Sequence, residues 1–181
     1  MQRTPLTLSA ADNQNWQKRM KMATQQQFDR AVRDLIWNIV EIRAQLEEID
    51  KSWAELIGIS EPQWLMLMAI DELDEGCGVS GIAVANKLGF HPAFITTQTK
   101  KLEQLEFLIR ATSPDDARFL QISLTPKVRT EIAKLSDKRR AVNSTILNGL
   151  DEESLAYLNK RLNAIAKNSR LASQKLSLGL L

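Results

Sequence analysis

The sequence predicts a mainly α-helical chain with one small β-hairpin, on three observations. Apolar residues recur at steps of three and four along most of the chain. Strict alternation is confined to one short stretch, Leu120, Ile122 and Leu124 against Gln121 and Ser123. Glycine and proline number only seven and five, and several fall where elements would end.

Residues 1–27 read as an N-terminal extension, partly helical. Asp12 or Asn13 is placed to cap a short helix through Trp16, Met20 and Met22 that also carries Lys18, Arg19 and Lys21. From Phe28 to Ile57, Val32, Leu35, Ile36, Ile39, Leu46, Ile49, Trp53 and Leu56 mark a long helix ended by Gly58. A helix of that length outgrows the core of a small domain, so a partner helix must cover part of it. Ser60-Glu61-Pro62-Gln63 is a capping box, with Ile59 and Trp64 as its hydrophobic staple, and opens a helix through Ile70.

Val79-Ser80 is a short extended piece. A small helix follows, with Ile82, Ala85 and Leu88 on its inner face and Gly89 at its end, and His91-Pro92 opens another to about Leu105. Two short helices joined by about three residues including a glycine are a helix-turn-helix. Behind it, Leu108–Ala111 and Phe119–Leu124 flank the turn-forming run Ser113-Pro114-Asp115-Asp116-Ala117, a hairpin in the position of a wing. Thr125-Pro126 starts a helix to Gly149, and Asp151 caps the last, through Leu155, Leu158, Leu162 and Ile165. The tail from Lys175 is expected to fray or dock on a partner.

The second helix of the pair carries the functional signal. On a wheel, Ile95, Gln98, Thr99 and Leu102 share one side. Ala93, Thr97, Lys100 and Lys101 share the other, flanked by Phe94 and Thr96. The outer face is slim, hydroxylated and basic, which suits a major groove: lysine reaches phosphates or guanine, and threonine offers a hydroxyl and a methyl to base edges. Thr96, Thr97, Lys100 and Lys101 are therefore the candidate DNA-reading residues. The plainer alternative is a wet surface.

Asp116-x-Arg118-x-x-x-Ile122-x-Leu124-Thr125 resembles the wing signature of the MarR family of bacterial transcriptional regulators, and the segment Gly58 to Trp64 resembles the opening of that family's second helix. The likeness runs from about residue 30 to 170 in the same order of elements. It implies a winged helix-turn-helix over 59–125 and a helical dimerisation region from 28–58 and 126–181. It also implies a homodimer on a pseudo-palindromic operator in double-stranded DNA, acting as a repressor. Release by a small aromatic, phenolic or carboxylate effector is implied as well. By position, Arg118 resembles the wing arginine of the minor groove and Asp116 the acid that orients the wing. The chain departs from the family in carrying Glu106 where a glycine is common and Thr97 where an arginine is common.

Arg43 lies near the apolar stripe of the first long helix and needs an anionic partner. A carboxylate ligand would serve, and so would Glu47 on the same helix. Trp37 and Trp64 are the aromatic candidates for such a ligand site, although aromatics also simply fill cores. Cys77, between Gly76 and Gly78 in an acidic loop, reads as inert.

No metal or cofactor is expected, because one cysteine and one histidine supply neither a disulfide framework nor a histidine cage. With no glycine-rich phosphate loop and no nucleophile–base pair, the chain does not read as an enzyme. No apolar run is long enough to span a membrane, and the N-terminus lacks a signal core, so a cytoplasmic setting is expected. The rival is a winged-helix module that binds protein, which calls for large apolar residues around Lys100; Phe94 alone fits.

Overall fold

The structure is a computed structural model that describes residues 10–112 and 120–180, with backbone only at 10–17, 19, 20 and 23. Among the described residues, seven helices and three strands follow in the order α1 (Ala10–Leu56), α2 (Glu61–Leu73), β1 (Val79–Ser80), α3 (Gly81–Leu88), α4 (Pro92–Gln104), β2 (Leu108–Thr112), β3 (Leu120–Leu124), α5 (Pro126–Lys134), α6 (Ser136–Ile146) and α7 (Glu152–Ser177). They fall into two compact units, Met1–Val128 and Arg129–Leu181.

In the first unit, α1 is one continuous helix of 47 residues, roughly 70 Å long. The expected separate N-terminal helix is absent. Residues 14–27 hold no glycine or proline and include five Gln, two Lys and two Met, all good helix formers, so nothing interrupts the backbone. Its C-terminus closes as expected at Gly58, whose φ is +76°. The Gly58 N–H bonds the Glu55 carbonyl and the Ile59 N–H bonds the Ala54 carbonyl, a Schellman arrangement.

Phe28, Val32, Leu35, Ile39, Ile42, Leu46, Ile49, Trp53 and Leu56 run down α1 at alternating steps of four and three, the spacing of a coiled-coil seam. Only its lower end is covered. Every described side chain from Lys18 to Asn38 is exposed, Phe28 by 64%.

The core gathers where α1 ends. Ala54, Trp64, Met66, Leu67, Ile70, Val84, Ile95, Leu102, Leu108, Ile122, Leu124 and Val128 are all buried. Burial of each large side chain contributes about 1.5–3 kcal/mol. Trp64 is only 1% exposed, and its indole N–H donates to Asp50 at 3.1 Å, fixing α2 against α1.

The two expected strands pair antiparallel, with Arg110 opposite Ile122 and Leu108 opposite Leu124, while the turn-forming run expected between them lies outside the described residues. A third strand joins it, because Val79 and Ser80 pair with Ile122 and Gln121, giving the sheet order β1-β3-β2.

In the second unit the helix expected from 126 to 149 is broken. The Leu135 N–H bonds the Ile132 carbonyl three residues back, and α6 starts at Ser136. No glycine or proline marks this joint, and nothing in the structure explains it. Asp151 caps α7 by accepting from the Ser154 N–H at 2.8 Å; a hydrogen bond from the Ser154 side chain, and then this backbone bond, hold its carboxyl below the usual range. α7 runs to Ser177, so the tail expected to fray from Lys175 is helical for three more residues. Leu155, Leu158, Leu162 and Ile165 give it an apolar stripe of its own, of which Leu158 and Leu162 are exposed.

Candidate nucleic-acid interface

Helix α4 is built to present one face. His91 caps it, its Nδ1 accepting from the Ala93 N–H at 3.3 Å, and Pro92 sits in the first turn, where a missing N–H costs nothing. Ile95, Thr99 and Leu102 are buried, as the wheel requires. Gln98 is also withdrawn: its carbonyl accepts from the Gln63 side-chain amide at 3.1 Å, across 35 residues of sequence. Gln63 in turn accepts from the Ser60 N–H at 3.0 Å, so the box that starts α2 also anchors α4.

Ala93, Thr96, Thr97, Lys100, Lys101 and Gln104 are exposed along the opposite side. The four described residues singled out for DNA reading, Thr96, Thr97, Lys100 and Lys101, thus share one solvent face. Asp116 and Arg118 lie outside the described residues.

Sequence reasoning missed how the far end of α4 is tied down. The helix closes in the same Schellman pattern as α1: the Phe107 N–H bonds the Leu102 carbonyl and the Glu106 N–H bonds the Glu103 carbonyl. The residue in the left-handed position is Glu106, with φ of +60°, the one non-glycine with positive φ among the described residues. Its carbonyl accepts from the Thr125 hydroxyl at 2.8 Å, and its carboxylate lies 3.4 Å from Lys127. One turn earlier, Glu103 lies 3.4 Å from Arg110 on β2, joining helix to sheet.

The signal in the sequence was the glutamate at a position where a glycine is common. A left-handed L-residue costs about 1–2 kcal/mol, offset in part by the greater unfolded freedom of glycine, about 0.5–1 kcal/mol. Glu106→Gly is therefore expected to raise stability by about 0.5–1 kcal/mol, read as a higher urea midpoint at unchanged slope. An unchanged or lower midpoint would remove the strain assigned to this joint.

The three ligand candidates are not brought together. Trp64 is sealed in the core, whereas Trp37 is 68% exposed on α1 and Arg43 is exposed too. Partial burial, then the carboxylates of Glu47 and Asp50, push the Glu61 carboxyl above the usual range, against the smaller opposing pull of Lys51 and then Arg43. A cleft of about 200 Å³ beside α4 is lined by Ile95, Thr96, Thr99, Arg110, Leu120 and Ile122 among others, not by these three. Among the described residues no cluster of acid, histidine or cysteine side chains is placed to hold a metal ion, and no helix is long and apolar enough to cross a membrane.

Residues 59–119 match the model of the MarR family. An uncharacterized HTH-type transcriptional regulator, YhbI, of Bacillus subtilis (strain 168) is 29% identical over 92 residues, which are 51% of this chain and 60% of that protein. The matched stretch therefore spans less than two thirds of this relative. Among solved structures, the S. aureus MepR–DNA complex superposes with a TM-score of 0.61 at 16% identity, covering 71% of this chain and 91% of that one. CouR from Rhodococcus jostii RHA1, solved bound to p-coumaroyl-CoA, gives 0.62 at 19% identity over 70% of this chain and 87% of its own. At these identities the likeness is one of fold.

Proposed function

We propose, on the match of residues 59–119 to the MarR family model, that the chain is a dimeric transcriptional regulator of that family that binds a pseudo-palindromic operator as a repressor. The observation that carries this is the outer face of α4, where Thr96, Thr97, Lys100 and Lys101 stand exposed on a helix whose other side is packed or hydrogen-bonded. In this reading residues 59–125 contact DNA. Lys100 and Lys101 reach phosphates or guanine in the major groove, and Thr96 and Thr97 approach base edges. Arg118 is assigned to the minor groove and Asp116 to orienting the wing, both on the resemblance alone. Residues 28–58 and 126–181 pair the subunits, with 1–27 extending the first of these segments. The apolar seam of α1 and the stripe of α7 support the pairing, since both carry exposed large apolar side chains.

Release by a small aromatic or phenolic carboxylate belongs to the same reading. Its support is the shared fold with a regulator solved with p-coumaroyl-CoA. Arg43, Trp37 and Trp64 are the residues assigned to that ligand. A protein-binding module would need a broad apolar surface around Lys100, and Phe94, 38% exposed, is the large apolar side chain on that side of α4.

Capture of fragmented genomic DNA by the purified protein tests the proposal. A small set of fragments is expected, sharing an inverted repeat with half-sites about one helical turn, roughly 34–36 Å, apart. Sedimentation is expected at about twice the chain mass of 20.5 kDa. Retention of fragments without regard to sequence, or of none, overturns it.

A further inference from the structure

The hydroxyls on the reading face of α4 are already occupied. Thr96 Oγ1 donates to the Pro92 carbonyl and Thr97 Oγ1 to the Ala93 carbonyl, both at 3.0 Å. A threonine bonded back to its own helix has spent its only proton. It keeps an oxygen that can accept, and it shows its methyl. Between these two residues and the helix start stand Ala93, with a bare Cβ, and Phe94. The Phe94 ring is held edge-on against Phe90, centroids 5.4 Å apart at 82°, and is 38% exposed. Gln98, the amide on these turns, is bonded to Gln63. The outer side of the first two turns of α4, between the His91 cap and the lysines and opposite Gln98, therefore offers a duplex three methyl-sized groups and an aromatic edge. The cationic donors, Lys100 and Lys101, come a turn later.

The major-groove edges of the four base pairs present acceptors, amino donors and one apolar group, the C5-methyl of thymine. We propose that Ala93, Phe94, Thr96 and Thr97 form an apolar reading surface that selects thymine methyls, so that the half-site is thymine-rich where the start of α4 meets it. This rests on the DNA-binding reading above and adds to it the chemical feature that is read. Guanine, with its two acceptors, is left to the lysines.

Selection from a pool of randomised duplexes, followed by exchange of each recurring thymine for deoxyuridine, tests the inference. Deoxyuridine pairs as thymine does and lacks only the methyl. Recurrent thymines are expected, with about a fourfold loss of affinity for each contacted methyl removed. Thr97→Ser and Phe94→Ala are each expected to abolish the loss at one position while leaving the salt dependence unchanged. Thr97→Ser keeps the hydroxyl and lies on the surface, so it serves even where Phe94→Ala loosens the packing on Phe90. Sequence-selective binding that is indifferent to deoxyuridine at every position overturns the inference and leaves the DNA-binding reading standing. Failure to select any sequence overturns both.

Discussion

Replacing Lys100 and Lys101 together by alanine is expected to weaken duplex binding by about ten- to a hundredfold near physiological salt while leaving the fold intact. Both side chains are exposed, so their loss opens no cavity and strands no partner in the core. Exposed substitutions of this kind change stability by no more than about 0.5 kcal/mol. What disappears is counterion release. Each phosphate contact contributes about 0.9 to the slope of log affinity against log salt. The proposed dimer would carry the pair twice, so the slope is expected to become shallower by about two to four units. Titration of a labelled duplex at several salt concentrations measures this. An unchanged slope would remove α4 from the phosphate backbone, whatever the loss of affinity.

Trp64→Ala is expected to cost about 3–5 kcal/mol. The side chain is 1% exposed at the junction of α1 and α2 and contributes both volume and a hydrogen bond to Asp50 at 3.1 Å. Against a total stability of about 5–15 kcal/mol, such a loss brings the chain close to unfolding at 37 °C. Trp64→Phe separates the two contributions, because it keeps most of the volume and drops the N–H, at an expected cost of about 1–2 kcal/mol. Urea unfolding followed by far-ultraviolet circular dichroism measures both variants. A Trp64→Ala protein as stable as the parent would show that the junction is held by something other than this ring.

Where an element begins or ends on a local chemical signal, the sequence was readable. Ser60 with Gln63, Gly58, Gly89, Pro92, Thr125 and Asp151 each bound an element at or beside the expected place, because each answers a need of the adjacent backbone: an unmet N–H, an unmet carbonyl or a positive φ. The face of α4 was readable as well, since burial there follows the 3.6-residue period.

What escaped notice depends on residues distant in sequence or on the absence of a signal. Nothing near residue 28 says that a helix should pause, and none does. Glu106 sits in a backbone conformation that a glycine would have advertised. Gln98 is bonded to Gln63, and Trp64 to Asp50 within the core, through contacts that no periodicity reports. The back-bonding of Thr96 and Thr97 is likewise invisible in a wheel, which counts a threonine as polar whether or not its proton is free. Asp116 and Arg118, the residues on which the family resemblance leaned most, lie outside the described residues.

The long bare portion of α1 has a thermodynamic consequence. Helical hydrogen bonds alone scarcely sustain a segment in water, and most helical stability comes from tertiary burial. A rod with more than half its length uncovered therefore draws its order from whatever lies along its seam. If that cover is a second subunit, ordering and association are one equilibrium. The melting temperature then belongs to a concentration rather than to the polypeptide, rising as the solution is made stronger and falling on dilution.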